Sequence, residues 1–360
     1  MAEWILSRLL MNYFRFLILL VWVSSLANAA ENRPNILFVL TDDQGWPTLG
    51  SYGGKIVPTP NLDRLASEGA RFTDFYVTSQ CTPTRASFIT GQYTARNGLW
   101  HVLPWYGYPR ARMTEPPFLE NYSRETFTVA RGLQKAGYTT GITGKWHLTA
   151  NPEDGYYNGL NPKASHHFGF DWASPVLDQR ELVEKPGADR GVDRYTDDAI
   201  DFISKNRDQP WFFFLSHHTI HSIVVAPEKL TQKYRDLGYG DEGPNRAVYL
   251  AGLEHIDHSI GRLMAALDEL GEAEETLVIF TSDNGGIDEK FDFKKVNAPT
   301  PDFDPDLIEY DNAPLRMGKG SGYDGGIRVP FLARWPGVIS PGTEIDTPAP
   351  VVDLLPTFFE

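Results

Sequence analysis

The chain contains a single cysteine, Cys81, among its 360 residues. One thiol cannot form an internal disulfide or build a cysteine-based zinc site. Positive charge is also scarce, because 33 lysines and arginines face 47 acidic residues and the formal net charge is -14. Nucleic acids are bound mainly by clustered lysines and arginines, so this balance argues against a nucleic-acid partner.

Long hydrophobic runs are absent at the N-terminus. The apolar run there covers only residues 16–23, whereas a transmembrane helix needs about 20 apolar residues. Arg8 and Arg15 precede the run, and an Ala-x-Ala pattern ending at Ala29 follows it. This order is typical of a secretory signal peptide. We therefore expect residues 1–30 to be removed and the protein to be secreted or periplasmic, without stable membrane insertion. The alternative is that this segment stays attached as an uncleaved membrane anchor.

Four segments share one pattern, a short apolar run followed at once by polar side chains. Consecutive apolar residues are typical of strands buried on both faces, as in a parallel sheet. The predicted strands are residues 35–41, 138–143, 211–215 and 276–280. Helical periodicity is found at residues 61–68, 126–136, 196–206 and 245–270. The alternation predicts an α/β fold with a mostly parallel central sheet, helices on both faces and ligands bound beyond the carboxyl ends of the strands.

Residues 31–360 are predicted to form one catalytic domain. Two loops interrupt it, at 97–117 and 287–314, and long loops are commonly lids or binding surfaces. The first loop carries an aromatic cluster that either stacks on sugar or aryl rings or simply packs the loop. The cluster comprises Trp100, Trp105, Tyr106 and Tyr108. The final ten residues predict the start of another helix, so we expect a further C-terminal portion.

The cysteine lies in a segment that reads Cys81-Thr-Pro-Thr-Arg85, followed by Ala-Ser-Phe-Ile-Thr-Gly91. Pro83 suits a first helical turn and Gly91 can end the helix, which places Cys81 at a helix N-terminus. Free backbone N–H groups and the helix dipole favour an anion at that position. Arg85 lies one turn further along the same face. The segment therefore predicts a reactive centre at an anion-binding site.

This segment, Cys-x-Pro-x-Arg with the extension Ala-Ser-x-x-Thr-Gly, resembles the signature of the type I, formylglycine-dependent sulfatases of the alkaline phosphatase-like superfamily. In that family a formylglycine-generating enzyme oxidises the cysteine to Cα-formylglycine, whose hydrated aldehyde is the nucleophile. The resemblance implies the alkaline phosphatase-like fold and conversion of Cys81. It also implies a small C-terminal sheet subdomain, which we expect to be truncated in this chain.

Two pairs of oxygen-bearing side chains follow two of the predicted strands. Asp42 and Asp43 follow the first, and Asp283 and Asn284 follow the last. Such groups are ligands for Ca²⁺ or Mg²⁺, although either pair alone is more often a helix cap or an Asx-turn. The resemblance implies that all four bind one divalent cation, usually Ca²⁺ and less often Mg²⁺, with the side chain of residue 81 completing the shell.

The resemblance also assigns roles to basic residues. Lys145, in a Lys-x-His element, would bind a sulfate oxygen, and His147 would take a proton from the formylglycine hydrate. His221 would bind sulfate, and either His221 or Lys319 would protonate the leaving group. The family commonly has proline where Ile223 stands, so His218 is the alternative histidine. Lys319, in a Gly-Lys-Gly element, would lie near the ester oxygen.

These motifs together predict hydrolysis of sulfate esters, on sulfated carbohydrate and also on aryl sulfates. Ca²⁺, Arg85, Lys145 and Lys319 would neutralise the sulfate oxygens while the hydrated formylglycine attacks sulfur and forms a covalent sulfated enzyme. His147 would then remove the remaining hydroxyl proton and regenerate the aldehyde. The alternatives are a phosphonate monoester or phosphodiester hydrolase of the same superfamily, and a non-enzymatic binding protein if Cys81 is not converted.

Overall fold

The computed structural model describes residues 33–104, 114–241, 245–287 and 311–360. The predicted signal peptide lies outside the described residues, as do Trp105, Tyr106 and Tyr108 and most of the second predicted loop. The described residues between Asn35 and Glu360 form one compact unit.

Among the described residues, nine strands form one mixed sheet and two form a separate hairpin. The strands are β1 Asn35–Thr41, β2 Ala70–Tyr76, β3 Thr139–Gly144, β4 Gly155–Tyr156, β5 Gly159–Leu160, β6 Trp172–Ala173, β7 Trp211–Ser216, β8 Thr276–Ser282, β9 Arg328–Arg334, β10 Thr343–Ile345 and β11 Ala349–Pro350. The order across the large sheet is β10-β2-β9-β8-β1-β7-β3-β6, with β11 beside β2, and β4 pairs with β5.

Helices connect the strands and cover the sheet. They are α1 Pro60–Glu68, α2 Cys81–Thr90, α3 Thr94–Asn97, α4 Val129–Lys135, α5 Val192–Asn206, α6 Glu228–Asp236, α7 Ala247–Leu270, α8 Asp324–Ile327 and α9 Leu354–Thr357. Short 3-10 turns lie at Trp46–Thr48, Gly50–Tyr52, Ser165–Phe168 and Val351–Asp353, and a π-helical turn lies at Arg180–Glu184. In the part of the chain that the structure describes, no helix has the length and apolar character required to cross a membrane.

The four predicted strands are neighbours at the centre of the sheet. β1 runs parallel to β7 on one side and to β8 on the other, and β3 runs parallel to β7. The register pairs Gly144 and Leu40 with the same residue, Ser216, so these strands end at one level. The predicted mostly parallel α/β sheet is confirmed, and the polar residues that follow its strands lie along a single edge.

Both faces of the central strand are buried, as its continuous apolar sequence predicts. Ile36, Phe38 and Leu40 pack on one face in a cluster that includes residues of α2 and α4. Leu37 and Val39 pack on the other face with residues of α1, α5 and α7. Burying a large aliphatic or aromatic side chain contributes about 1.5–3 kcal/mol, so this two-sided core gives the polar edge a rigid support.

Some element boundaries differ from the prediction for local reasons. The helix predicted at 126–136 begins only at Val129, because the Thr128 hydroxyl caps it by accepting a hydrogen bond from the Arg131 N–H at 3.0 Å. The helix predicted at 196–206 begins earlier, at Val192, because the Asp189 carboxylate accepts the Gly191 N–H just before the helix and the Asp193 N–H in its first turn. Strand β9 was not predicted, and it pairs antiparallel with both β8 and β2.

Candidate active site

Four oxygen-bearing side chains meet where the parallel neighbours β1 and β8 end. Asp42 and Asp43 follow β1, Asp283 and Asn284 follow β8, and all four are 0% exposed. The Asp43 N–H donates to Asp283 Oδ1 at 3.3 Å, and Asn284 Nδ2 donates to Asp43 Oδ1 at 2.7 Å. The sheet therefore brings the two predicted ligand pairs into one buried cluster.

Cys81 is the first residue of α2 and is 1% exposed. The helix is buried along its whole length and ends at Gly91, whose φ of 62° is the left-handed conformation that glycine adopts readily. The Gly320 N–H donates to the Ser79 carbonyl at 2.7 Å, which holds the loop carrying Lys319 beside the α2 N-terminus. The predicted helix start at the cysteine is therefore present, and the second predicted lysine is next to it.

Arg85 lies one turn into α2 and donates hydrogen bonds to protein groups from its Nε and NH1. Its Nε donates to Asp283 Oδ2 at 2.9 Å, and its NH2 lies 2.8 Å from the same oxygen. Its NH1 donates to the Lys145 carbonyl at 3.2 Å and to the Ser216 hydroxyl. Arg85 thus ties α2 to the ends of β3, β7 and β8 and supplies the positive charge next to Asp283.

Two ammonium groups lie on the other carboxylates of the cluster. Lys145, which follows β3, donates from Nζ to Asp42 Oδ2 at 2.6 Å, and both side chains are 0% exposed. Lys319 Nζ lies 2.6 Å from Asp43 Oδ1, and its side chain is 19% exposed. With the Arg85–Asp283 pair, three cations face three carboxylates, so the buried site is close to electrical balance.

His147 is positioned to exchange a proton with residue 81. Its Nε2 lies 2.6 Å from the Leu103 carbonyl oxygen, which can only accept, so Nε2 carries the proton in the neutral ring. The unprotonated Nδ1 then faces Cys81 Sγ at 3.5 Å. Burial, together with the charge of Lys145, holds the pKa of His147 well below its usual range. His147 is therefore neutral and presents an acceptor nitrogen to the cysteine side chain.

Both candidate histidines of the segment after β7 reach the site. His221 Nε2 lies 3.9 Å from Asp43 Oδ2, its Nδ1 donates to the Ser222 carbonyl at 2.5 Å, and burial lowers its pKa to about 4. His218 is fully buried, with Nδ1 3.2 Å from the Tyr195 hydroxyl and no hydrogen-bond partner at Nε2 among the described residues. His221 is the histidine adjacent to the carboxylate cluster and partly open to solvent, and its catalytic role stays a prediction.

The buried charges shift one another's pKa values in opposite directions. Although burial opposes ionisation, Lys145, with His221 and Arg85, holds the pKa of Asp42 well below its usual range. Burial and the neighbouring charge of Asp42 raise the pKa of Asp283 to about 7. Burial also raises the pKa of the Cys81 thiol, with partial compensation by Lys145. The unmodified thiol is therefore not activated as a thiolate.

The cluster fits a divalent cation. Asp42 Oδ1 and Asn284 Oδ1 are buried acceptors without a hydrogen-bond donor among the described residues. One possible ligand atom from each of Asp42, Cys81 and Asp283 lies within 4.8 Å of the others. Buried oxygen acceptors that lack donors are satisfied by a hard cation such as Ca²⁺ or Mg²⁺, which prefers carboxylate and amide oxygens.

Two residues of the site were missed by the sequence analysis. The Tyr157 ring lies 4.5 Å from Lys145 Nζ and packs against the His147 ring at 4.7 Å. Arg190 is 2% exposed and donates from NH2 to the Ser222 carbonyl at 3.1 Å, which braces the loop that carries His221. Neither lies in a recognisable motif, and only their tertiary contacts reveal them.

The fold and the site define a class before any individual relative is considered. A mostly parallel sheet covered on both faces, with a buried cysteine, cations and carboxylates beyond its strand ends, agrees with the alkaline phosphatase-like fold that the sequence resemblance implies. A family model described as Sulfatase matches residues 34–360. The chain therefore belongs to the sulfatase family.

Curated relatives agree with this membership. The chain is 35% identical over 364 residues to human arylsulfatase A, covering 91% of this chain and 64% of that protein. It is 30% identical over 352 residues to human N-acetylgalactosamine-6-sulfatase, covering 92% of this chain and 62% of that protein. The chain thus spans just under two thirds of the length of these relatives.

Solved structures share the fold. The crystal structure of Ps i-CgsB in complex with k-i-k-neocarrahexaose matches with a TM-score of 0.70 and 26% identity, over 91% of this chain and 71% of that chain. The crystal structure of PsFucS1 sulfatase from Pseudoalteromonas sp. matches with a TM-score of 0.67 and 28% identity, over 94% and 70%. A phosphonate monoester hydrolase from Silicibacter pomeroyi, at 20% identity and a TM-score of 0.60, shares the fold alone.

Proposed function

We propose that this protein hydrolyses sulfate esters, with Cys81 converted to formylglycine as the nucleophilic residue. The observation that carries the proposal is the position of Cys81 at the buried N-terminus of α2, 3.5 Å from the acceptor nitrogen of His147. Membership of the sulfatase family supports it. So does the raised pKa of the buried Cys81 thiol, which disfavours an unmodified thiolate as the nucleophile.

We propose that a formylglycine-generating enzyme converts Cys81 during maturation. The reaction is a two-electron oxidation at Cβ, with molecular oxygen as the oxidant, in which the carbon–sulfur bond breaks, sulfur leaves as sulfide and an aldehyde oxygen takes its place. When hydrated, the aldehyde supplies two hydroxyl groups on one carbon, one to attack sulfur and one to remain for the release step. The unprotonated Nδ1 of His147 faces that carbon's substituent and is the group that accepts the proton of the second hydroxyl.

The cationic residues prepare the site for an anion. Ca²⁺ is the proposed ion at Asp42, Asp43, Asp283 and Asn284, with residue 81 completing the shell, and when bound it supplies positive charge for the sulfate oxygens. Lys145 and Lys319 flank the α2 N-terminus, so their ammonium groups attract and orient a sulfate next to residue 81. His221, with Nε2 turned to the same cluster, is placed to donate a proton to the departing alcohol once it is protonated.

Sulfated carbohydrate is the proposed natural substrate class, with aryl sulfates as accepted small substrates. The names of relatives support this choice, since one acts on N-acetylgalactosamine 6-sulfate and one neighbour was solved with a neocarrahexaose. Secretion or export to the periplasm is proposed from the basic, apolar and Ala-x-Ala order of residues 8–29. A secreted location suits an enzyme that meets polymeric sulfated glycans outside the cell.

The test is hydrolysis of an aryl sulfate by protein produced together with a formylglycine-generating enzyme and supplied with Ca²⁺. The matched controls are the Cys81→Ala and Cys81→Ser variants, which cannot form the aldehyde by this route. We expect turnover by the wild type and none above background by either variant. An aryl phosphonate monoester and an aryl phosphodiester are measured in parallel, and a preference for either over the sulfate would contradict the proposal and support the alternative hydrolase class.

A further inference from the structure

Tyr157 lies at the centre of the basic side of the site. It follows β4 in the short β4–β5 hairpin, and its ring centroid is 4.5 Å from Lys145 Nζ. The same ring packs edge-on against His147 at 4.7 Å and against His221 at 5.7 Å. One aromatic ring therefore contacts three of the side chains that the proposed function places around the sulfate.

The Tyr157 hydroxyl is buried and has no hydrogen-bond partner among the described residues. A buried hydroxyl in such an environment normally finds a partner, so an unsatisfied one inside a polar site indicates a group that is met by a ligand. Burial, reinforced by the negative charge of Asp42, raises the pKa of Tyr157 well above its usual value. The phenol therefore stays protonated and offers a donor and not a base.

The ring neighbours of Tyr157 indicate its ligand. His147, which packs against the ring, has Nδ1 3.5 Å from Cys81 Sγ, and Lys145, whose ammonium group lies over the ring, bonds Asp42 of the carboxylate cluster. A donor that faces an anion site lined by two lysines complements an oxyanion, because charged acceptors form the stronger hydrogen bonds.

We propose that Tyr157 is a sulfate-binding residue whose hydroxyl donates a hydrogen bond to a non-bridging sulfate oxygen and whose ring holds the Lys145 ammonium in place. The inference rests on the proposed function for the identity of the anion. The ring contributes through its negative face, which attracts the ammonium group packed over it. The hydroxyl contributes directly to binding of the sulfate group, in the substrate and in the released product alike.

The experiment compares Tyr157→Phe, which removes only the hydroxyl, with Tyr157→Leu, which removes the ring as well. The matched control is Tyr156→Phe, since Tyr156 is the adjacent tyrosine and is 43% exposed. The readouts are the dissociation constant of inorganic sulfate by calorimetry, and kcat and KM for an aryl sulfate. Thermal unfolding of each variant shows that the fold is kept.

For Tyr157→Phe we expect the sulfate dissociation constant and KM to rise together by about tenfold or more, with kcat nearly unchanged, because the lost bond serves substrate and product equally. Tyr157→Leu should in addition lower kcat, since Lys145 loses its aromatic support. Tyr156→Phe should match the wild type in all three constants. Sulfate affinity in Tyr157→Phe within about twofold of the wild type would overturn the assignment, and would show that water alone meets the hydroxyl.

The binding readout separates this inference from the proposed function. A wild type that binds sulfate but hydrolyses no sulfate ester would contradict the proposed function, while the affinity of Tyr157→Phe would still decide the role of Tyr157. A wild type that binds no inorganic sulfate would overturn the assignment of the hydroxyl to a sulfate oxygen.

Discussion

Replacing Arg85 with methionine should destabilise the protein strongly, because the change leaves a buried carboxylate without its cation. Arg85 is 1% exposed and Asp283 is 0% exposed. The Arg85 Nε and NH2 lie 2.9 and 2.8 Å from Asp283 Oδ2. Removing one partner of such a buried pair costs about 3–5 kcal/mol of the free energy of unfolding.

The size of this loss should depend on pH. Burial and Asp42 raise the pKa of Asp283 to about 7 even with Arg85 present, and without the guanidinium it should rise further. An acid whose pKa in the folded state exceeds its unfolded value takes up a proton on folding, so its contribution to stability falls as pH rises. The slope is at most about 1.4 kcal/mol per pH unit, so the Arg85→Met deficit should be larger at about pH 8 than at about pH 6.

Urea unfolding in the presence of a chelator measures this deficit without a contribution from bound metal. The matched control is Arg64→Met, because Arg64 pairs with Glu68 at 2.6 Å in a pair whose side chains are 47% and 35% exposed. Exposed pairs contribute about 0–1 kcal/mol, so the control should lose little. Equal losses in the two variants, or an Arg85→Met deficit that shrinks as pH rises, would refute the reasoning.

Three further predictions concern Asp189, Arg190 and the proposed calcium site. Asp189→Ala should lower the free energy of unfolding by about 1–2 kcal/mol at neutral pH, because the carboxylate accepts the N–H of Gly191, just before α5, and the N–H of Asp193 in its first turn. Burial opposes ionisation of Asp189, but its hydrogen bonds with His255, Asp193 and Gly191 lower its pKa in the folded protein. The stability difference between wild type and Asp189→Ala, measured by urea titration, should therefore disappear as the pH falls below the usual aspartate range. Arg190→Ala should lower kcat for an aryl sulfate by about tenfold, because the loop that carries His221 loses its hydrogen bond to Arg190. Arg194, whose side chain is 48% exposed on α5, is the control, and Arg194→Ala should keep the wild-type kcat. Equal kcat values for the two variants would exclude this role of Arg190. A chelator should abolish hydrolysis and lower the midpoint of thermal unfolding, and added Ca²⁺ should restore both. Asp42→Asn should not show this recovery. A full response of that variant to Ca²⁺ would contradict the proposed ligand set.

The central part of the fold was predictable because local sequence determines it. Strands β1, β7 and β8 are largely apolar runs buried on both faces, and β3 is a buried run rich in threonine and glycine. Each is followed by a polar residue that the parallel register places at the same edge. The start of α2 at Cys81 followed from Pro83 and Gly91. For these elements, the pattern of the chain predicted buried parallel strands with a common polar edge, but it did not predict the order of the strands in the sheet.

Strand β9 shows what the local pattern leaves out. Residues 328–334 are apolar enough to form a strand, but their place between β8 and β2, in antiparallel direction, depends on contacts with strands far away in the sequence. Nothing within the segment specifies its partner or its direction.

Tyr157 and Arg190 were missed for a related physical reason. Each acts through neighbours that are distant in sequence, namely Lys145 and the histidines for Tyr157 and the Ser222 carbonyl for Arg190. An isolated tyrosine in a hairpin or arginine before a helix is usually an ordinary surface residue. Only the packed structure shows that one hydroxyl is buried without a partner and that one guanidinium braces a loop.

The most direct test of the account is the mass of the peptide that carries residue 81, measured together with aryl sulfate hydrolysis on the same preparation. Protein produced with a formylglycine-generating enzyme should give a peptide lighter by the difference between CH2–SH and CHO, and its activity should rise in proportion to the converted fraction. Full activity from a preparation in which Cys81 is an unmodified thiol would contradict the account. Complete conversion without hydrolysis of any sulfate ester in the presence of Ca²⁺ would contradict it as well.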